Sequence, residues 1–171
     1  MTNFIPIFPL SVVIYPGEEF NLHVAEASYK RLVVECYTED KHFGIPAVVH
    51  RGPMDYGAVV RVIEIVEIHE DGNMDVKIEG LAIFRTLEVI DKVPDKSFKG
   101  AIVTYPENEN NGNKELMRHI LQSIRDLHKL LKVNKQFKKP DEELTSYDVA
   151  HHVGLGLHQE YDFLQLTRED Q

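Results

Sequence analysis

Nine histidines, one cysteine and a late run of lysines are the side chains best able to do chemistry in this 171-residue chain. A zinc peptidase needs His-Glu-x-x-His on a helix, which puts both imidazoles on one face, one turn apart. His69-Glu70-Asp71-Gly72-Asn73 begins that pattern but has no second histidine, and it falls where Asp71-Gly72 marks a turn. His151, His152 and His158 cluster late, and His151 and His158 are seven positions apart. Gly154 and Gly156 interrupt the helix that would align them. Exposed or hydrogen-bonded surface imidazoles are the expectation, and no metal ligands or cofactor are assigned.

Other catalytic patterns are missing as well. A phosphate-binding loop needs two glycines followed by Lys and Ser/Thr, so that backbone N–H groups and a cation can hold phosphate. Gly52 and Gly57 have the spacing, but Ala58 and Val59 follow them. The Gly-x-Ser-x-Gly elbow of serine hydrolases does not occur, and Ser11, Ser28, Ser97 and Ser123 have no evident partner arrangement. Cys36 sits on an apolar helical face, where a small buried residue is a simpler reading than a reactive thiol. Lys129, Lys132, Lys135, Lys138 and Lys139 form the one basic cluster. Cations near a helix C-terminus complement its dipole. Contact with an acidic partner or with RNA phosphate is the rival reading, but only Phe137 supplies an aromatic ring there.

The elements that would position these groups change character along the chain. Segments 4–8 and 10–14 read as strands broken by Pro6 and Pro9, followed by a Tyr15-Pro16-Gly17 turn. Phe20, Leu22 and Val24 share one side of a strand over 19–24. Tyr29, Leu32, Val33, Cys36 and Tyr37 have the spacing of a buried helical face. From Ala58 to His69 the apolar residues occupy both parities, which predicts a bulge or a strand buried on two faces. Asp71-Gly72 then turns a hairpin. Met74, Val76 and Ile78 alternate on the return strand, Gly80 punctuates it, and two further strands are expected near 82–90 and 98–105. Many short strands with one helix predict a small barrel or sandwich.

Residues 106–113 contain no apolar side chain and mark a boundary, giving a β lobe over 1–105 and a helical lobe over 106–171. Asn113 can cap a helix over about 114–133, whose stripe is Leu116, Met117, Ile120, Leu121, Ile124, Leu127 and Leu131. Pro140 and Glu142-Glu143 fall in a loop. Thr145 and Asp148 have capping-box spacing and open a helix ending near Gly154. Leu157, Tyr161 and Leu164 mark a further short helix. Thr167 and Asp170 repeat the capping spacing just before Gln171, which predicts that the natural chain continues into another helix.

The formal net charge of −9 disfavours a large nucleic-acid face and an anionic lipid surface. One cysteine excludes an internal disulfide and fits a reducing compartment. No signal-peptide pattern opens the chain and no stretch is long enough to span a membrane. The expected location is cytoplasmic.

The order and spacing of several pieces resemble the N-terminal substrate-binding domain of Lon-type proteases. These are Phe8-Pro9-Leu10, Tyr15-Pro16-Gly17, Leu22-His23-Val24, Tyr29 with Arg31-Leu32, Phe43-Gly44 and Tyr56-Gly57. Val60–Ile68, Asp71-Gly72, Ile78-Glu79-Gly80 and Phe84-Arg85 follow. The resemblance implies an α+β, mainly β fold: a PUA-like pseudobarrel with one inserted helix, then a helical lobe. It implies a non-catalytic module, linked to proteolysis, that binds unfolded or tagged protein segments and works with a protease or chaperone. The ATPase and Ser–Lys protease domains of full-length Lon have no counterpart in this sequence. RNA binding, known among PUA-like folds, is the alternative, and the acidic balance weighs against it. A groove between the lobes would suit a partner, with Tyr15, Phe20, Tyr56 and Phe84 as aromatic anchors. For Phe84, packing in the core is the simpler reading.

Overall fold

A computed structural model describes residues 3–171 and separates them into two compact units divided after Pro106. The first unit is built on six strands. They are β1 (Asn3–Pro6), β2 (Glu19–Val24), β3 (Phe43–Val49), β4 (Gly52–Ile68), β5 (Met74–Ile90) and β6 (Gly100–Thr104), with helix α1 (Ala27–Thr38) between β2 and β3. The strands hydrogen-bond in the order β1-β6-β5-β4-β3, all antiparallel, and β2 pairs with the first part of β5.

The proline-broken start of the chain closes this sheet. Beyond Pro6, the Phe8 N–H donates to the Gly44 carbonyl at 2.8 Å and the Val48 N–H to the Leu10 carbonyl at 2.8 Å, and Ile7 and Leu10 bridge β3 in parallel. One extended stretch thus pairs with β6 and then with β3, and closure removes edges that would otherwise be open to other chains. Residues 10–14, expected as a strand, do not form one.

Two long strands make the centre, and Gly80 does not divide the second. β5 runs unbroken through it because Gly80 lies where the Tyr15-Pro16-Gly17 turn crosses the strand. The Gly17 N–H donates to the Gly80 carbonyl and the Gly80 N–H to the Glu18 carbonyl, both at 2.8 Å. A Cβ on Gly80 would sit 2.3 Å from the Tyr15 carbonyl oxygen, so only glycine permits the crossing. Gly17 itself takes φ +83°. The Asp71-Gly72 turn forms as expected, with Gly72 at φ +81° and its N–H donating to the His69 carbonyl.

The doubled parity of β4 is explained by bulges. The register with β5 slips so that Ile63 and Val66 are extra residues on β4 and Leu81 is extra on β5; a further slip against β6 leaves Leu87 extra. Each slip reverses which side chains face inward. The main core lies between α1 and the sheet and holds Leu22, Val24, Leu32, Val33, Cys36, Phe43, Val60, Val76 and Ile78. A second cluster gathers Ile5, Ile7, Val59, Phe84, Ala101 and Val103.

The second unit contains α2 (Lys114–Leu130), a 3-10 turn (Asp141–Glu143), α3 (Ser146–Ala150) and α4 (Leu157–Leu164). Asn113 caps α2, its Oδ1 accepting from the Glu115 and Leu116 N–H groups at 2.9 and 3.1 Å. The helix stops three residues short of the expected 133. Lys132 adopts φ 54°, the Val133 N–H donates to the His128 carbonyl and the Lys132 N–H to that of Lys129. This is a Schellman termination made without glycine. Met117, Leu121 and Ile124 pack with Leu144 and Val149, while Leu116, Leu127 and Leu131 of the expected stripe are exposed.

The Asp148 carboxylate accepts from the Thr145 N–H at 2.8 Å, as the capping spacing predicts, but α3 ends at Ala150 and turns lead to Gly154 at φ +75°. No helix opens at Thr167. Residues 167–169 pair with Glu109 instead, and the Glu169 carboxylate accepts from the Gly112 N–H at 2.9 Å and from the Ser146 N–H at 2.8 Å. Glu169 therefore acts as a tertiary cap on the first turn of α3.

Candidate functional site

The bulges of β4 and β5 turn apolar side chains outward. Ile63, Val66, Leu81 and Leu87, the four extra residues, are all exposed. Three exposed apolar residues, Ile63, Val66 and Ile68, fall within six positions of β4. Over 61–68 this strand pairs with β5 on one side and, among the described residues, with no strand on the other. A concavity of about 490 Å³ lies on the outer face beside it, where Val66 and Glu64 of β4 meet Lys77 and Asp75 of β5 and Asn21 and His23 of β2. Val66 is its exposed apolar side chain, and Asn21, His23, Glu64, Asp75 and Lys77 surround it with polar groups.

At one end of this concavity is a cluster that sequence spacing did not reveal. His23 and Asp75 are cross-strand partners on β2 and β5. His69 directly follows β4 and opposes the same carboxylate across the hairpin. The His23 Nδ1 lies 2.8 Å from one Asp75 oxygen and the His69 Nε2 lies 2.7 Å from the other. The hydrogen bonds from His23 and His69 hold the Asp75 carboxyl below its ordinary range, and the bond to Asp75 raises the His69 imidazole above its own. The far nitrogen of His69, Nδ1, has a Glu67 carboxylate oxygen 3.6 Å away. His23 comes from β2, Asp75 from β5 and His69 from the turn that follows β4, and they meet only through the β2–β5 register and the β4–β5 hairpin, so no linear motif marks them.

The aromatic anchors expected from the sequence divide into two pairs. Tyr15 and Phe84 are completely buried. Tyr15 is a correction: the turn that carries it folds under β5 at Gly80, leaving the ring no surface to offer a partner. Phe84 packs in the core with Val59 and Val103, the simpler of its two readings. Phe20 is half-buried against the main core and Tyr56 is half-buried near Arg85, whose guanidinium carbon is 5.9 Å from the ring centre. Cys36 is buried, and burial pushes its thiol up to about 11, which keeps it protonated and unreactive near neutral pH.

In the helical unit Lys129, Lys132, Lys135 and Lys139 line a separate cavity of about 620 Å³ with Arg125 and Phe137. Arg125 is held by Asp141 in a two-pronged pair at 2.9 and 2.6 Å, and Lys139 bonds Asp148 at 3.0 Å. Part of the basic charge is thus answered within the unit. Among the described residues no helix is long and apolar enough to cross a membrane.

Known proteins place this architecture. Residues 5–158 match the family described as the ATP-dependent protease La (LON) substrate-binding domain. A Lon N-terminal domain protein from Xanthomonas campestris superposes with a TM-score of 0.70 at 23% identity, over 98% of this chain and 93% of that one. The N-terminal domain of the Mycobacterium avium complex Lon protease superposes with a TM-score of 0.66 at 11% identity, over 95% and 89%. No curated protein sequence matches the chain. At these identities the two structures speak for the fold, and the family match covers most of the sequence: the chain belongs to the family of Lon substrate-binding domains.

Proposed function

We propose that this protein is a non-catalytic module that binds extended, apolar-bearing segments of unfolded or tagged polypeptide. The observation that carries the reading is the row of outward apolar residues on β4, Ile63, Val66 and Ile68, beside a strand edge that, among the described residues, no other strand pairs. An extended segment can lie along such an edge, with main-chain hydrogen bonds giving affinity and alternate side chains giving selectivity. The bulges at Ile63 and Val66 twist the edge, which discourages pairing with a second flat sheet while leaving room for one flexible strand. Membership of a substrate-binding family supports the same reading. Phe20 and Tyr56, both half-exposed, are further candidate anchors on this unit.

The test is binding of a fluorescent apolar peptide and of its scrambled polar counterpart, measured by anisotropy. Ile63→Asp and Val66→Asp should each weaken binding of the apolar peptide by about 1–2 kcal/mol, the cost of losing an interface anchor. Phe20→Ala and Tyr56→Ala probe the alternative placement. Binding unchanged by both β4 substitutions removes the β4 edge from the account. Preference for single-stranded RNA over either peptide would favour the RNA-binding reading, for which the lysine-lined cavity would be the candidate surface.

A further inference from the structure

We propose that His23, His69 and Asp75 form a binding site for one divalent transition-metal ion of the zinc class. One donor atom from each residue lies within 4.8 Å of the other two. Two imidazoles and a carboxylate are a common ligand set for zinc, and three protein ligands leave a fourth position for water or another oxygen donor. His23 and Asp75 stand opposite each other on paired strands, and His69 is held at the base of the β4–β5 hairpin by its N–H bond to the Asn73 carbonyl at 2.8 Å.

The distances fit an ion with small adjustment. Bonds of about 2.1 Å in a tetrahedral site place neighbouring donor atoms about 3.4 Å apart. His23 and His69 reach different oxygens of the Asp75 carboxylate, at 2.8 and 2.7 Å, so the carboxylate turns to offer the ion one oxygen and the imidazoles draw back toward the tetrahedral spacing. Side-chain exposures of 57% for His23 and 34% for His69 leave room for that movement.

The surroundings supply what a metal-bound histidine normally has. Its second nitrogen usually donates to a carboxylate, fixing the tautomer and raising ligand basicity. With His69 bound through Nε2, its Nδ1–H faces Glu67 at 3.6 Å. Ion entry requires the inner nitrogen of each imidazole to give up its proton, which moves to the outer nitrogen of a neutral ring or leaves to solvent from a charged one. The adjoining concavity, which His23 and Asp75 also line, gives solvent or a ligand access to the open coordination position.

The experiment uses the full chain without an affinity tag, stripped with chelator and titrated calorimetrically with zinc chloride, with bound metal counted after dialysis. One ion per chain is expected. His23→Ala, His69→Ala and Asp75→Asn should each weaken binding at least tenfold, and Glu67→Gln, with all three ligands intact, by about tenfold. His119→Ala, an exposed histidine outside the cluster, should leave affinity unchanged. Imidazole nitrogen resonances provide a readout on the unaltered protein: zinc should shift those of His23 and His69. Absence of stoichiometric binding, retention of binding by the His23→Ala/His69→Ala double variant, or shifts confined to other histidines would each overturn the proposal.

Discussion

Gly80→Ala tests whether the Tyr15–Glu18 turn is locked against β5 as the structure shows. The added methyl would lie 2.3 Å from the Tyr15 carbonyl oxygen, about 1 Å inside the ordinary carbon–oxygen contact of about 3.3 Å. The turn cannot yield by rotating a side chain, because the contact is with backbone and the Tyr15 ring behind it is fully buried. Overpacking of this kind costs about 1–3 kcal/mol. Retreat of the turn also stretches the Gly17-to-Gly80 and Gly80-to-Glu18 hydrogen bonds, each contributing about 0.5–1.5 kcal/mol. Against this, replacing glycine restricts the unfolded chain and returns about 0.4–1 kcal/mol. These terms combine to a net loss of about 1–5.6 kcal/mol, with about 2–5 kcal/mol as its central part, a large fraction of an ordinary domain's stability. In a chain of this length that lowers the melting temperature by roughly 4–20 °C. Urea unfolding followed by circular dichroism measures it, with Gly52→Ala as control because a Cβ there meets nothing within 4 Å. Equal stability of the two variants would refute the argument.

Three other outcomes follow from single residues. Asn113→Ala removes the acceptor for two N–H groups of α2 and should cost about 1 kcal/mol, read as faster hydrogen exchange at Glu115 and Leu116. Cys36, buried with its thiol raised to about 11, should react with iodoacetamide at pH 8 only as fast as the barrel opens, and rapidly in denaturant; fast labelling of native protein would contradict its placement. His152 lies against Phe137 with ring centres 4.5 Å apart and a buried Nδ1 without a hydrogen-bond partner. Burial, then the neighbouring His128, Lys135 and His151, lower its pKa. Between the lowered folded value and the unfolded value near 6.5 the unfolded chain binds more protons, so stability is intact above about pH 6.5 and falls as pH drops through the folded value. His152→Gln should flatten that decline, and an imidazole titration at or above 6.5 would contradict it.

The sequence made the fold legible where local chemistry and long-range structure agree. Asn113 caps, the Asp71-Gly72 turn forms and the periodicity through Leu32, Val33 and Cys36 gives the buried face of α1, each within one short window; Tyr37, expected on the same face, is exposed. Parity along β4 was readable only as an anomaly, because which residue is extra depends on the partner strand. Gly80 looked like an end since glycine weakens a strand; its role, admitting a backbone crossing from residues 15–18, is a contact between distant segments. The end of α2 at Lys132 had no glycine to announce it. Near the end of the sequence, Glu169 reaches N–H groups across the chain at Gly112 and Ser146, a contact that local spacing could not announce. Tyr15 was misread for the same reason as Gly80. The His23–His69–Asp75 cluster is assembled by the β2–β5 register and the turn after β4, so no established ligand spacing along the sequence marks it.

The central claim, that the chain recognises extended apolar polypeptide, is tested most directly by comparing one protein in two states. A disulfide-bonded client and its reduced, alkylated and permanently unfolded form share a sequence and differ in exposed apolar segments. Calorimetric titration of each into the full chain should show binding to the unfolded form at least tenfold tighter, with a negative heat-capacity change from apolar burial, and the Ile63→Asp/Val66→Asp double variant should abolish the difference. Equal affinity for the folded and unfolded forms, or no binding to either, would contradict the account.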